Sequence, residues 1–281
     1  MSSTNILFIV CHPDDEALWV GGLLHGLPQF PGVGVHVICL SGQDEHSKRP
    51  QEFEAARAVA GYKAGVVMGS ALRPAGQSLP PVDETVSAGL ERLGLSIMDI
   101  GVLITHSPFG EEHMHPHHVQ ASTELYEWAA RHRIPFGYFS CLPLPTCRLQ
   151  PALRNMKRFG ALQVLNYAWC KYGALRRVIR WYEGKPWRYP HLYIQWLGDA
   201  AVKRAMLSCY RSIDLAMHEQ AYAMFNNNVE SLYLFDERGA KVFDQLLELM
   251  DVPGSPDYFP GTWTDAGFMN RVANKFFPRK A

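Results

Sequence analysis

Ile6-Leu7-Phe8-Ile9-Val10-Cys11-His12-Pro13-Asp14-Asp15-Glu16 is the stretch that decides how this chain is read. Its apolar half reads as a buried strand of a parallel sheet, where both faces are covered and alternation disappears. An imidazole and adjacent carboxylates follow at once. Charges beside a core must be paired, hydrogen-bonded or bound to a metal. A His nitrogen with a carboxylate oxygen suits a first-row metal such as zinc.

Outward from that strand, apolar runs alternate with helical spacing. Residues 5–11 are followed by a helical segment, 16–27, whose Leu18, Gly21, Gly22 and Leu24 form a small, close-packing face. Residues 33–40 give a second strand, and 50–61 a helix with Phe53, Ala56 and Val59 in phase and Gly61 as its stop. Residues 64–69 are a third strand, 82–93 a helix, 101–106 a fourth strand, 117–131 a helix and 134–140 a fifth strand. This alternation predicts an α/β, Rossmann-like fold with a mostly parallel sheet and helices on both faces. Right-handed crossovers make 3-2-1-4-5 the natural strand order. Ligands of such sheets bind outside the carboxyl ends of the strands where the order reverses, here between strands 1 and 4. There is no GxGxxG, Walker-type loop or GxSxG, so nucleotide binding and serine hydrolysis lack their usual signatures.

Strand 4 runs into Thr105-His106-Ser107-Pro108-Phe109-Gly110-Glu111-Glu112-His113-Met114-His115-Pro116-His117-His118, where five of the chain's twelve histidines lie. A lone histidine is more often structural than a ligand. A cluster opening a helix opposite the first carboxylate motif is different, because His115 and His118 can face one side across the helix start. Pro116 fits the first helical turn, where its missing N–H costs nothing.

His12-Pro13-Asp14-Asp15-Glu16, followed about a hundred residues later by His115-Pro116-His117-His118, resembles the LmbE/PIG-L family of zinc-dependent N-acetylglucosaminyl de-N-acetylases. Arg49-Pro50-Gln51-Glu52, with Ala55, Ala56 and Gly61, resembles that family's R-x-x-E helix. The resemblance covers roughly residues 4–140. It implies that His12, Asp15 and His118 hold Zn2+, or another divalent metal such as Fe2+, with a position left for water. It also implies that Asp14 is the general base and that a protonated His115 stabilises the oxyanion. Three protein ligands with an open fourth position are the pattern of a catalytic zinc site. Glu16 is read as favouring the helix dipole and orienting a neighbour.

His117 departs from the family, which usually has Asp there, and so removes a carboxylate that can support the metal ligands. His113, Glu111 and Glu112 are read as a solvated loop, and Cys11 as a small buried residue at a strand end. His106 either lines the pocket or caps strand 4.

The 281 residues suffice for a single α/β domain, 1–281, with 47% hydrophobic content and 27 basic against 27 acidic side chains. Zero formal charge argues against nucleic acid as a partner. The six cysteines contain no CxxC pair and are expected reduced. No basic n-region precedes the first apolar run, and no uncharged stretch spans a bilayer, so the expected location is cytoplasmic.

Within a cap or insertion at 144–200, residues 147–190 carry ten Lys and Arg against the single acid Glu183, interleaved with aromatics such as Trp169, Trp181 and Trp187. A helical cap with wet cations is the leading reading; a flap making peripheral contact with an anionic membrane and a wall of the sugar cleft are the others. Residues 198–225 read as a long helix, 230–235 as a closing strand and 264–277 as an amphipathic terminal helix in a C-terminal helical region. The expected substrate is an N-acetylated sugar or glycoconjugate, lipid-linked or a biosynthetic intermediate. The alternatives are a metal amidase cutting a thiol-sugar conjugate or an antibiotic acyl chain, and a catalytically silent glycan-binding protein. Asp14 disfavours the last, since a pure binder needs no base beside its ligand.

Overall fold

The computed structural model describes residues 4–42, 47–69, 78–107, 115–140, 192–213, 229–234, 237–250 and 261–262. The first half alternates strand and helix: β1 Thr4–Val10, α1 Asp15–Gly26, β2 Val33–Cys39, α2 Arg49–Ala60, β3 Ala64–Val67, α3 Val82–Leu93, β4 Ile100–His106, α4 Pro116–His132 and β5 Phe136–Ser140. Then come β6 Leu192–Leu197, α5 Ala200–Ser208, β7 Val229–Leu234, α6 Glu237–Met250 and β8 Gly261–Thr262.

The strands form one sheet in the order β3-β2-β1-β4-β5-β7-β6-β8. The first five are parallel, as the alternation predicts, and the α/β, Rossmann-like architecture follows. Beyond β5 the sheet turns antiparallel: β7 pairs with β5, β6 with β7, and β8 with β6. The expected closing strand at 230–235 is β7. β6 and α6 had no counterpart in the sequence reading, and β6 places the end of the expected 144–200 insertion inside the sheet.

β1 explains its own sequence. Ile6, Phe8 and Val10 face one buried cluster with residues of α1, α2 and α5, while Leu7, Ile9 and Cys11 face the other with residues of α3 and α4. A strand buried on both faces needs an unbroken apolar run. Its register against β4 sets Ile9 beside Thr105, so the residues after both strands emerge side by side.

The Gly21-Gly22 face has a specific use. α1 kinks at Val20, where φ is −138°, and the N–H groups of Gly22 and Leu23 donate to the Glu230 carboxylate at 2.9 and 2.8 Å. A Cβ on Gly22 would lie 2.6 Å from the Gly198 Cα, so only glycine admits that approach. Lys203 Nζ completes the contact 2.8 Å from Glu230, with both side chains buried.

One expected element is shorter than its sequence suggests. The helix expected over 198–225 begins on an Asp199 cap and ends at Ser208. Its last turn tightens as Cys209 and Tyr210 N–H donate to Met206 and Leu207 carbonyls, and the Tyr210 side chain then turns inward to Glu16. Residues 147–190 and 264–277 lie outside the described residues, as do Glu111, Glu112 and His113. Among the described residues, no helix is long and apolar enough to cross a membrane.

Candidate metal centre

The carboxyl ends of β1 and β4 deliver the two halves of the site to one place. His12 leaves β1 through a turn, Asp14 caps α1, and Asp15 occupies its first turn. His106 ends β4, and α4 starts with His115 as its cap, Pro116 at its first position and His117 and His118 following.

His12 Nδ1 lies 3.3 Å from Asp15 Oδ2, His118 Nε2 lies 3.2 Å from the same oxygen, and the two nitrogens are 3.2 Å apart. Ligands 2.0–2.1 Å from a tetrahedral zinc are separated by about 3.3 Å. The three atoms therefore have the spacing of one face of such a tetrahedron, and the donor set fits a divalent metal. Asp15 is fixed from its other side. His12 and Cys11 backbone N–H groups donate to Oδ2 at 2.8 and 3.2 Å, and Trp19 Nε1 donates to Oδ1 at 3.2 Å. Burial alone would push this carboxyl up. The imidazoles of His118, His12 and His106 outweigh it and hold Asp15 well below the usual carboxylate range.

Asp14 stands beside the trio in a different environment. Its φ of 142° is a left-handed value rare for a non-glycine residue. The conformation is held because its N–H donates to Glu16 Oε2 at 3.0 Å and its carbonyl accepts the Ala17 and Leu18 N–H groups. Burial, and then the adjacent Asp15 charge, raise its pKa well above the usual value, while Arg49 pulls the other way. Arg49 Nη1 is 3.8 Å from Asp14 Oδ2 and donates to the Pro13 carbonyl at 2.8 Å. The R-x-x-E pair thus has two structural ends, since Glu52 accepts from the Ser212 N–H and hydroxyl.

The His115 ring caps α4. Its Nδ1 accepts the His117 backbone N–H at 3.3 Å, which places the ring proton on Nε2. Burial and the neighbouring imidazoles of His118, His12 and His117 lower its pKa to about 3, so the ring is neutral. His117 Nδ1 lies 2.9 Å from His12 Nε2, on the far side of the His12 ring from Asp15.

Sequence alone allows His106 two places, lining the pocket or capping strand 4, and assigns none to Trp19, Tyr210 or the Lys203–Glu230 pair. His106 is fully buried, stacks on His118 at a 4.0 Å centroid distance, and sets its Nε2 3.4 Å from Asp15 Oδ2. It therefore floors the cluster. Trp19 was findable as the residue one helical turn after Asp15. Tyr210, which donates to Glu16, and Glu230, which accepts from Gly22 and Leu23 and pairs with Lys203, were not, because the contacts to α1 span about two hundred positions. Cys11 is buried as expected, with its thiol within 4.8 Å of the Asp15, His106 and His118 ligand atoms. Among the described residues Cys39 and Cys209 are free thiols.

No family model matches the sequence, and no curated protein matches it. Solved structures similar to it include a deacetylase triple mutant of the teicoplanin biosynthetic pathway, 13% identical, covering 82% of this chain and 97% of that one at a TM-score of 0.49. An N,N'-diacetylchitobiose deacetylase from Pyrococcus horikoshii is 23% identical over 46% of this chain and 50% of its own, with a TM-score of 0.35. A 4-carboxy-2-hydroxymuconate hydratase from Pseudomonas putida is 14% identical over 83% and 96%, with a TM-score of 0.37.

Proposed function

We propose that this protein is a metal-dependent hydrolase that removes the acetyl group from an N-acetylated amino sugar or glycoconjugate, releasing a free amine and acetate. The observation that carries the reading is the trio of ligand atoms 3.2–3.3 Å apart, with a second carboxylate beside it but outside it. His12, Asp15 and His118 would hold the cation, for which zinc is the first choice. When bound, it supplies Lewis acidity, lowering the pKa of a water and polarising the amide carbonyl.

The chain's own groups do the rest. Asp14, ionised and shielded from solvent, takes a proton as water attacks the carbonyl carbon. The C–N bond then breaks, and Asp14 returns that proton to the leaving nitrogen. The neutral His115 donates its Nε2–H to the oxygen that becomes negative at the tetrahedral stage, a hydrogen bond that strengthens as charge develops. The sugar assignment is supported by the paired motifs in the sequence.

Metal content and acetate release from N-acetylhexosamines, nucleotide sugars and lipid-linked sugars test the proposal. Wild type is expected to bind one zinc and release acetate, and Asp14→Asn to keep the zinc and lose about 10²–10⁴-fold in turnover. Zinc binding with no acetate from any of these substrates would overturn the deacetylase reading in favour of a different amide.

A further inference from the structure

We infer that His117 is the outer partner of the ligand His12, a neutral imidazole orienting the ring where most ligating histidines use a carboxylate or a carbonyl. The inference rests on the proposed function only in taking His12 as a metal ligand.

A ring nitrogen that binds a cation carries no proton, so a His12 bound through Nδ1 keeps its proton on Nε2. That Nε2 lies 2.9 Å from His117 Nδ1. The direction of the hydrogen bond follows: His12 donates, His117 accepts, and His117 holds its own proton on Nε2. The two nitrogens of one imidazole point in divergent directions, so a group bonded to Nε2 lies outside the coordination sphere of an ion at Nδ1. His117 is therefore a positioning residue and not a fourth ligand.

Its placement suits that task. The side chain is buried, with the His12 and His117 ring centroids 5.2 Å apart and the planes inclined by 39°. It sits on the first turn of α4 next to His118, so one turn of helix presents both a ligand and the group that aims another ligand. The chemistry differs from that of a carboxylate partner. An imidazole accepts the hydrogen bond but adds no negative charge, so no second carboxylate stands behind His12. The bound cation keeps more of its positive charge for polarising a substrate.

The test measures zinc affinity of the full chain by chelator competition, alongside the visible absorption of its Co2+ form. His117→Ala removes the acceptor and is expected to weaken zinc about 10–100-fold. In His117→Asn the Oδ1 atom stands as many bonds from Cα as Nδ1 does, and affinity is expected to return to within about threefold of wild type, with an unchanged Co2+ spectrum. His117→Ala binding as tightly as wild type, or Asn binding as weakly as Ala, overturns the inference. So does loss of zinc from His117→Ala as complete as from His118→Ala, which would make His117 itself a ligand. Retention of zinc by His118→Ala would instead overturn the ligand set, and with it the proposed function.

Discussion

Asp14 and Asp15 are neighbours in the chain whose pKa values are shifted in opposite directions. Asp15 receives two backbone N–H groups, an indole N–H and three nearby imidazoles, so its charge is favoured despite burial. Burial and the adjacent Asp15 charge raise Asp14 more than the Arg49 guanidinium, 3.8 Å away, and the His118 imidazole lower it, so its proton is held more tightly. That divergence supports the proposed division, with Asp15 on the metal and Asp14 moving the proton. The histidines divide in the same manner. His118→Ala is expected to bring zinc per chain close to zero, because one corner of the 3.2–3.3 Å triangle is removed. His115→Ala is expected to keep zinc while losing about 10²–10³-fold in turnover, the usual loss for one oxyanion donor. Metal content measured beside acetate release checks both, and equal metal loss in the two variants would show the roles to be misassigned.

The elements that carry these side chains are held by features of unequal visibility. β1 was legible because double burial writes an unbroken apolar run, and α4 because Pro116 and the paired histidines mark its start. The order β3-β2-β1-β4-β5 followed from alternation and handedness, and it placed the site. In the antiparallel half the closing strand β7 was legible, but β6 and the reversal of direction were not, since antiparallel neighbours obey no crossover rule. The kink of α1 is the instructive case. Gly21-Gly22 announced a close approach, but nothing near them in sequence announced Glu230, whose carboxylate occupies the two N–H groups the kink frees. Lys203→Met leaves that buried carboxylate without its cation and is expected to cost about 3–5 kcal/mol. Gly22→Ala, which forces a Cβ against Gly198, is expected to cost about 1–3 kcal/mol. Urea unfolding of the metal-free variants measures both; a Lys203→Met midpoint equal to that of wild type would mean the pair contributes nothing to holding α1.

The same long-range closure makes the stability of the metal-free protein depend on pH. Tyr210, beyond α5, reaches across to Glu16 at the start of α1, and both are buried in the interior that the sheet and helices share. Burial raises the Glu16 pKa from 4.5 to about 7 against the opposing Tyr210 hydrogen bond, and Asp14 is shifted in the same direction. For a carboxyl raised on folding, the native state binds more protons than the unfolded one between the two pKa values. Its stabilisation is therefore complete below the unfolded pKa and is lost as pH rises through the folded one. The Glu16 shift alone corresponds to about 3 kcal/mol lost between pH 4.5 and 7. Asp15, shifted downward, contributes above the ordinary carboxylate pKa and loses its share only in stronger acid, so it does not offset this slope. His115 and His36, lowered to about 3 and about 4, act with the opposite sign up to their unfolded value of 6.5, so the Glu16 share is read as the difference between wild type and Glu16→Gln in urea midpoints taken with chelator from pH 5 to pH 7.5. Glu16→Gln keeps an acceptor for the Asp14 N–H but has no proton to bind, so relative to it wild type is expected to lose midpoint across that range, the Asp14 and histidine contributions being common to both. The same pH dependence in both proteins would mean that the proton is taken up elsewhere and that the buried Glu16 does not contribute to it.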